Sequence, residues 1–128
     1  KLYDILKKTL TQFIEETANM PDSFYAYNEF TFVWDSDKEE INYKKHGITF
    51  KTAARVFEDE LRIEFTDPKH SKDEDRYITI GLVHKILTVV YCDRENKDTG
   101  NTDIRIISAR VASKTEQLLY NNNLIGRY

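Results

Sequence analysis

Six cationic side chains carry most of the reactive chemistry in this sequence. Lys44, Lys45 and His46 run into Gly47, and Arg76, Arg105 and Arg110 fall near the ends of strand-like stretches. Such a set suits phosphate esters. RNA is cut when a ribose 2′-hydroxyl attacks the neighbouring phosphorus in line. A protein must then take the hydroxyl proton, offset charge on the phosphorane and protonate the departing 5′-oxygen. Arginine fits the charge role because its planar fork binds phosphate through parallel N–H bonds. Histidine, lysine or tyrosine can move the protons. Residue types and spacing do not bring the six together; that requires a fold.

Other chemistries have less support. There is no glycine-rich phosphate loop. His46, His70 and His84 lack metal-ligand spacing, and Cys92 is the only cysteine. No zinc site, internal disulfide or cofactor is therefore expected, and Cys92 reads as a small buried hydrophobe. Ser108 has no base beside it in sequence, and Glu58, Asp59 and Glu60 read as a solvated helix end. The net charge is −3, so contact with RNA must come from a local cluster of Arg and Lys rather than a general basic excess.

The 128 residues suit one domain, with 40% hydrophobic and 32% charged residues, enough to bury a core without staples. No apolar run is long enough to span a bilayer, and charges interrupt the first residues where a signal core would lie. With the single cysteine, this predicts a cytoplasmic protein without membrane contact.

The elements that must position the cations follow from local patterns. Leu2, Ile5, Leu6, Leu10, Phe13 and Ile14 recur at helical spacing and predict an amphipathic helix over residues 1–20, ended by Met20-Pro21-Asp22. Strand-like stretches follow at residues 24–27 and 30–34. Asp35-Ser36-Asp37 offers cap oxygens for a helix over 38–45, which Gly47 stops. Thr49 caps a second helix over 51–58. Leu61–Thr66 alternates as a half-buried strand. Residues 76–82, 86–93 and 103–110 complete a meander, with a tight turn at Val83-His84-Lys85 and a long polar loop at 94–102. Ser113 and Glu116 form a capping box for a last helix reaching about Tyr120, where Asn121-Asn122-Asn123 frays it. The order predicts an α+β fold: an antiparallel sheet of about four strands packed by helices on one face, plus an extra N-terminal helix.

One ordered series of motifs resembles a known family. Phe32-Val33-Trp34-Asp35, Lys38, Asn42 and Lys45-His46-Gly47-Ile48-Thr49-Phe50 resemble the opening of BrnT toxins. Ala53-Ala54-Arg55-Val56-Phe57 with Glu58-Asp59 resembles their second helix. His70-Ser71, Asp75-Arg76-Tyr77-Ile78-Thr79-Ile80-Gly81 and Ile104-Arg105-Ile106-Ile107-Ser108-Ala109-Arg110 resemble the strands that follow. Glu116 and Tyr120 match the final helix. The resemblance covers about Phe30 to Tyr120. It implies a RelE-like fold, an endoribonuclease toxin of a type II toxin–antitoxin pair, and a small DNA-binding, BrnA-like antitoxin as partner. It divides the chain into an N-terminal helical extension, 1–28, and a toxin domain, 29–128.

On that reading the catalytic candidates are Arg76, Arg105, Arg110, His46 and Lys45, with Lys44, Tyr91 and Trp34 as RNA contacts. Each has a plain structural alternative. Arg76 could pair with Asp73, Glu74 or Asp75, and Arg105 could be a solvated strand position. Strict alternation puts Arg110, five residues after Arg105, on the opposite face unless a bulge near Ala109 re-aims it. Lys45 and His46 could simply cap a helix. Tyr91 and Trp34 read more readily as core aromatics. The final helix is poor in Arg compared with the family, the loop 94–102 is longer, and residues 1–28 precede the family's usual start. A binding module or co-repressor without catalysis is therefore the competing reading. The N-terminal helix has three candidate roles: extra core, a homodimer contact, or occupation of the antitoxin's groove in cis.

Overall fold

The computed structural model describes residues 2–8, 23–27, 30–70 and 74–125. Helix α1 covers residues 2–8, all exposed. The rest of the helix expected over 1–20 lies outside the described residues. Six strands form one sheet: β1 (Ser23–Tyr27), β2 (Phe30–Trp34), β3 (Ile63–Thr66), β4 (Arg76–Val83), β5 (Lys85–Glu95) and β6 (Thr102–Val111). Their spatial order is β1-β2-β6-β5-β4-β3. The fold is α+β, but the sheet has six strands rather than about four. It is also mixed, because β2 runs parallel to β6 while every other neighbouring pair is antiparallel.

The local signals place the helices well. Helix α2 spans Ser36–His46; Asp35 caps it by accepting the backbone N–H groups of Asp37 and Lys38, and Gly47 ends it at φ 72°. A residue with a Cβ is disfavoured at that angle, which is why glycine stops the helix there. Thr49 caps α3 (Phe50–Ala54), which tightens into a 3₁₀ turn over Arg55–Glu58 instead of staying α-helical. The β4–β5 turn is a single residue, His84, at φ 57°. Helix α4 spans Lys114–Ile125. Glu116 accepts the Ser113 backbone N–H at 2.8 Å and its own N–H reaches the Ser113 hydroxyl at 3.2 Å, closing the expected capping box. The helix does not fray at the three asparagines. Tyr120 and Leu124 on either side of them pack against Ile80, Ala112, Ile63 and Ile86, and that burial carries the helix through.

The helices divide between two faces, contrary to the one-face expectation. Helix α3 and the 3₁₀ turn cover one face over Phe32, Trp34, Val83, Leu87, Val89, Tyr91, Ile104, Ile106 and Ala109. Helix α4 sits on the other, where Ile63, Ile80 and Ile86 point. Helix α2 takes neither face. Strand β2 pairs with β6 only as far as Arg105. Beyond it, the buried Asn42 amide donates to the Ala109 carbonyl at 2.8 Å and its oxygen accepts the Ala109 N–H at 3.2 Å. One side chain thus satisfies the strand edge that β2 leaves open.

Candidate active site

The face opposite α3 is where the arginines gather. Arg76 of β4 pairs with Cys92 of β5, and Cys92 pairs with Arg105 of β6, so the three side chains share one row across the sheet. Further along the same face, Thr88 pairs with Arg110. The register slips between Val90 and Tyr91, which oppose Ser108 and Ile106, leaving Ile107 without a partner across the ladder. This bulge reverses the alternation, so Arg105 and Arg110 project from the same face although five residues separate them.

Sharing a face does not give them the same task. Arg110 is clamped by Glu116 through two bonds, 2.6 and 2.9 Å, to both carboxylate oxygens. Burial pushes the Glu116 carboxyl up, but the Arg110 bonds and charge and the Ser113 cap outweigh it and bring it down to about 2. The same pair raises Arg110 further above its ordinary range. Arg110 thus ties the end of β6 to the start of α4. Four rungs of β5, about 13 Å at the usual strand rise, separate its row from that of Arg76 and Arg105.

Arg76 and Arg105 line one cavity of about 400 Å³ together with Trp34, Asp35, Asp37, Lys38, Ile106 and Ile107. The strand-to-helix junction at Asp35 brings the first turn of α2, and with it Lys38, to the row of arginines. Arg105 also lines a second, smaller cavity of about 210 Å³ with Glu74, Cys92 and Asp103. There Glu74 accepts a short bond from its guanidinium. Cys92, buried between the two arginines, has its thiol pushed up by burial first and then by Glu74, against the pull of Arg105 and Arg76.

The remaining candidates lie elsewhere. Lys44, Lys45 and His46 occupy the last turn of α2, where the helix dipole favours cations. Lys44 pairs with Glu40 at 3.1 Å. Lys45 is seven residues past Lys38, about 10 Å along the helix axis, and neither it nor His46 lines the arginine cavity. Trp34 is only 4% exposed and meets Phe50 edge-on, while Tyr91 is 2% exposed between Phe57 and Tyr77. Neither ring offers a face on which a base could stack. Residue type alone does not distinguish Lys38 or Glu74, since one lies in a helix first turn and the other in an acidic loop. The sequence signal for both was proximity to a motif: Lys38 follows Trp34-Asp35 by three, and Glu74 precedes Arg76 by two.

The family model described as "Ribonuclease toxin, BrnT, of type II toxin-antitoxin system" matches residues 34–116, about two thirds of the chain. The chain belongs to the BrnT family. The matched span opens at Trp34 and closes at Glu116, so the larger cavity, the Arg110–Glu116 clamp and all of the smaller cavity's lining except Val33 fall inside it. BrnT proteins are ribonuclease toxins of type II systems, which implies an RNA target and an antitoxin partner. No curated protein matches the chain. Helix α1 and strand β1 precede the matched span. Among the described residues no helix is long and apolar enough to cross a membrane.

Proposed function

We propose that this chain is an endoribonuclease that cuts RNA by in-line attack of the 2′-hydroxyl, without a metal, and is silenced by a DNA-binding antitoxin. The observation that carries the reading is the row Arg76–Cys92–Arg105 beside a cavity also lined by Lys38. Two guanidinium groups in the same row, on the strands either side of β5, can grip one phosphodiester and stabilise the extra negative charge of the phosphorane. The rigid centre of a sheet holds them without further ordering on binding. The catalytic load therefore falls on Arg76 and Arg105, while Arg110 serves as the anchor of α4.

The test is cleavage of RNA by purified protein, alone and with ribosomes, in the presence of EDTA. Products should end in a 2′,3′-cyclic phosphate, and cells expressing the chain should stop growing. Changing Arg76 and Arg105 together to Ala should abolish cleavage with circular dichroism unchanged. RNA left intact in both settings would refute the reading.

A non-catalytic binding module has one observation in its favour: carboxylates face both Arg105 and Arg110, and Lys114 is the single cation on the described part of α4. It predicts tight antitoxin binding with no cleavage under any of these conditions.

A further inference from the structure

We propose that Glu74 is the general base and Lys38 the general acid of this cleavage, on opposite sides of a phosphate held by Arg105. The inference rests on the nuclease reading above and names the groups that move its protons.

In-line displacement fixes the geometry required. The attacking 2′-oxygen and the departing 5′-oxygen lie on opposite sides of phosphorus, so the proton acceptor and donor must flank the group that binds the phosphate. Arg105 lines both cavities of this face; Lys38 lines only the larger and Glu74 only the smaller. Glu74 engages a single guanidinium nitrogen, NH2. Nε and NH1 make no hydrogen bond among the described residues, and the side chain is 53% exposed, so a phosphate can bind the same plane without displacing the carboxylate.

Two other carboxylates nearby are engaged elsewhere. Asp35 is spent on capping α2, and Asp103 accepts from the Asn96 amide at 3.3 Å. Asp93 has its carboxyl raised by burial and by Glu64, despite a backbone hydrogen bond that lowers it. Glu74 is in direct contact with Arg105, an arginine of the row. Lys38 is exposed and makes no ion pair among the described residues, so its ammonium is available as a donor.

The step balances. The Glu74 carboxylate takes the 2′-hydroxyl proton while the 2′-oxygen bonds to phosphorus. The bond from phosphorus to the 5′-oxygen breaks, and Lys38 protonates that oxygen. A cyclic phosphate and a 5′-hydroxyl result, and exchange with water resets both side chains.

The experiment uses an RNA oligonucleotide whose cut site has been mapped with the wild-type chain, and a copy with sulfur in place of the bridging 5′-oxygen at that site. A thiolate leaves without a proton. Lys38→Met should slow cleavage of ordinary RNA by about 10²–10⁴-fold yet cut the sulfur substrate at close to the wild-type rate. Glu74→Gln should slow both substrates by a similar factor, with Glu74→Asp intermediate. Affinity for the uncleavable 2′-deoxy version should stay within a few-fold for all three, whereas Arg105→Ala should weaken it. Glu74→Gln cutting as fast as wild type, or Lys38→Met equally slow on the sulfur substrate, would overturn the assignment and leave the nuclease reading standing. Wild-type protein that cuts neither substrate overturns both.

Discussion

Replacing Glu116 with Gln isolates the charge of the clamp that fixes α4. The amide keeps the shape of the side chain and an oxygen for the Ser113 N–H, but it no longer pairs ionically with Arg110. In the folded protein Glu116 lies at about 2, against an ordinary 4.5. At about 1.4 kcal/mol per pH unit, this difference sets a ceiling of about 3–4 kcal/mol. Arg110 is 42% exposed, so water screens the pair, and about 1–2 kcal/mol is the realistic share. The sign follows from the depression. Stability from the carboxylate is fully present above about pH 4.5 and is lost as pH falls toward about 2. Asp93, whose carboxyl is raised, works in the opposite sense but is common to both proteins and cancels in the difference. Thermal unfolding of wild type and Glu116→Gln from pH 7 to pH 2 should show a gap of about 4–10 °C at neutral pH that closes on acidification. A gap independent of pH would refute the ionic account and leave only packing or capping.

Two further changes probe the scaffold of the arginine row. Asn42→Ala strands the Ala109 N–H and carbonyl at the edge of β6 and should cost about 2–4 kcal/mol in urea unfolding; a loss below about 0.5 kcal/mol would mean that water replaces the amide. Gly81→Ala should cost about 1–3 kcal/mol, because the added methyl would meet Val56 Cγ1 at 2.7 Å and Arg62 Cβ at 3.1 Å under the 3₁₀ turn. An unchanged urea midpoint would show that the turn can lift away from β4.

Features that act over a few residues are legible in the chain before it folds. Asp35, Thr49 and Gly47 mark helix ends because capping bonds and a positive φ are local demands, and the box of Ser113 and Glu116 closes within one turn. The tight turn at Val83-His84-Lys85 and the polar loop at 94–102 likewise bound β4, β5 and β6 to within two residues at either end. Tertiary structure decided what depends on partners distant in the chain. Periodicity does not show that β2 inserts parallel to β6, nor that Asn42 closes the edge beyond it. Nor does it locate the bulge. Whether Arg105 and Arg110 share a face turns on one unpaired residue, Ile107, and a pleat of period two makes such a slip decisive. The separation of roles among six similar cations is also non-local. Glu116 claims Arg110, Glu74 meets Arg105, and the end of β2 delivers Lys38 to the row while the length of α2 carries Lys45 and His46 away from it.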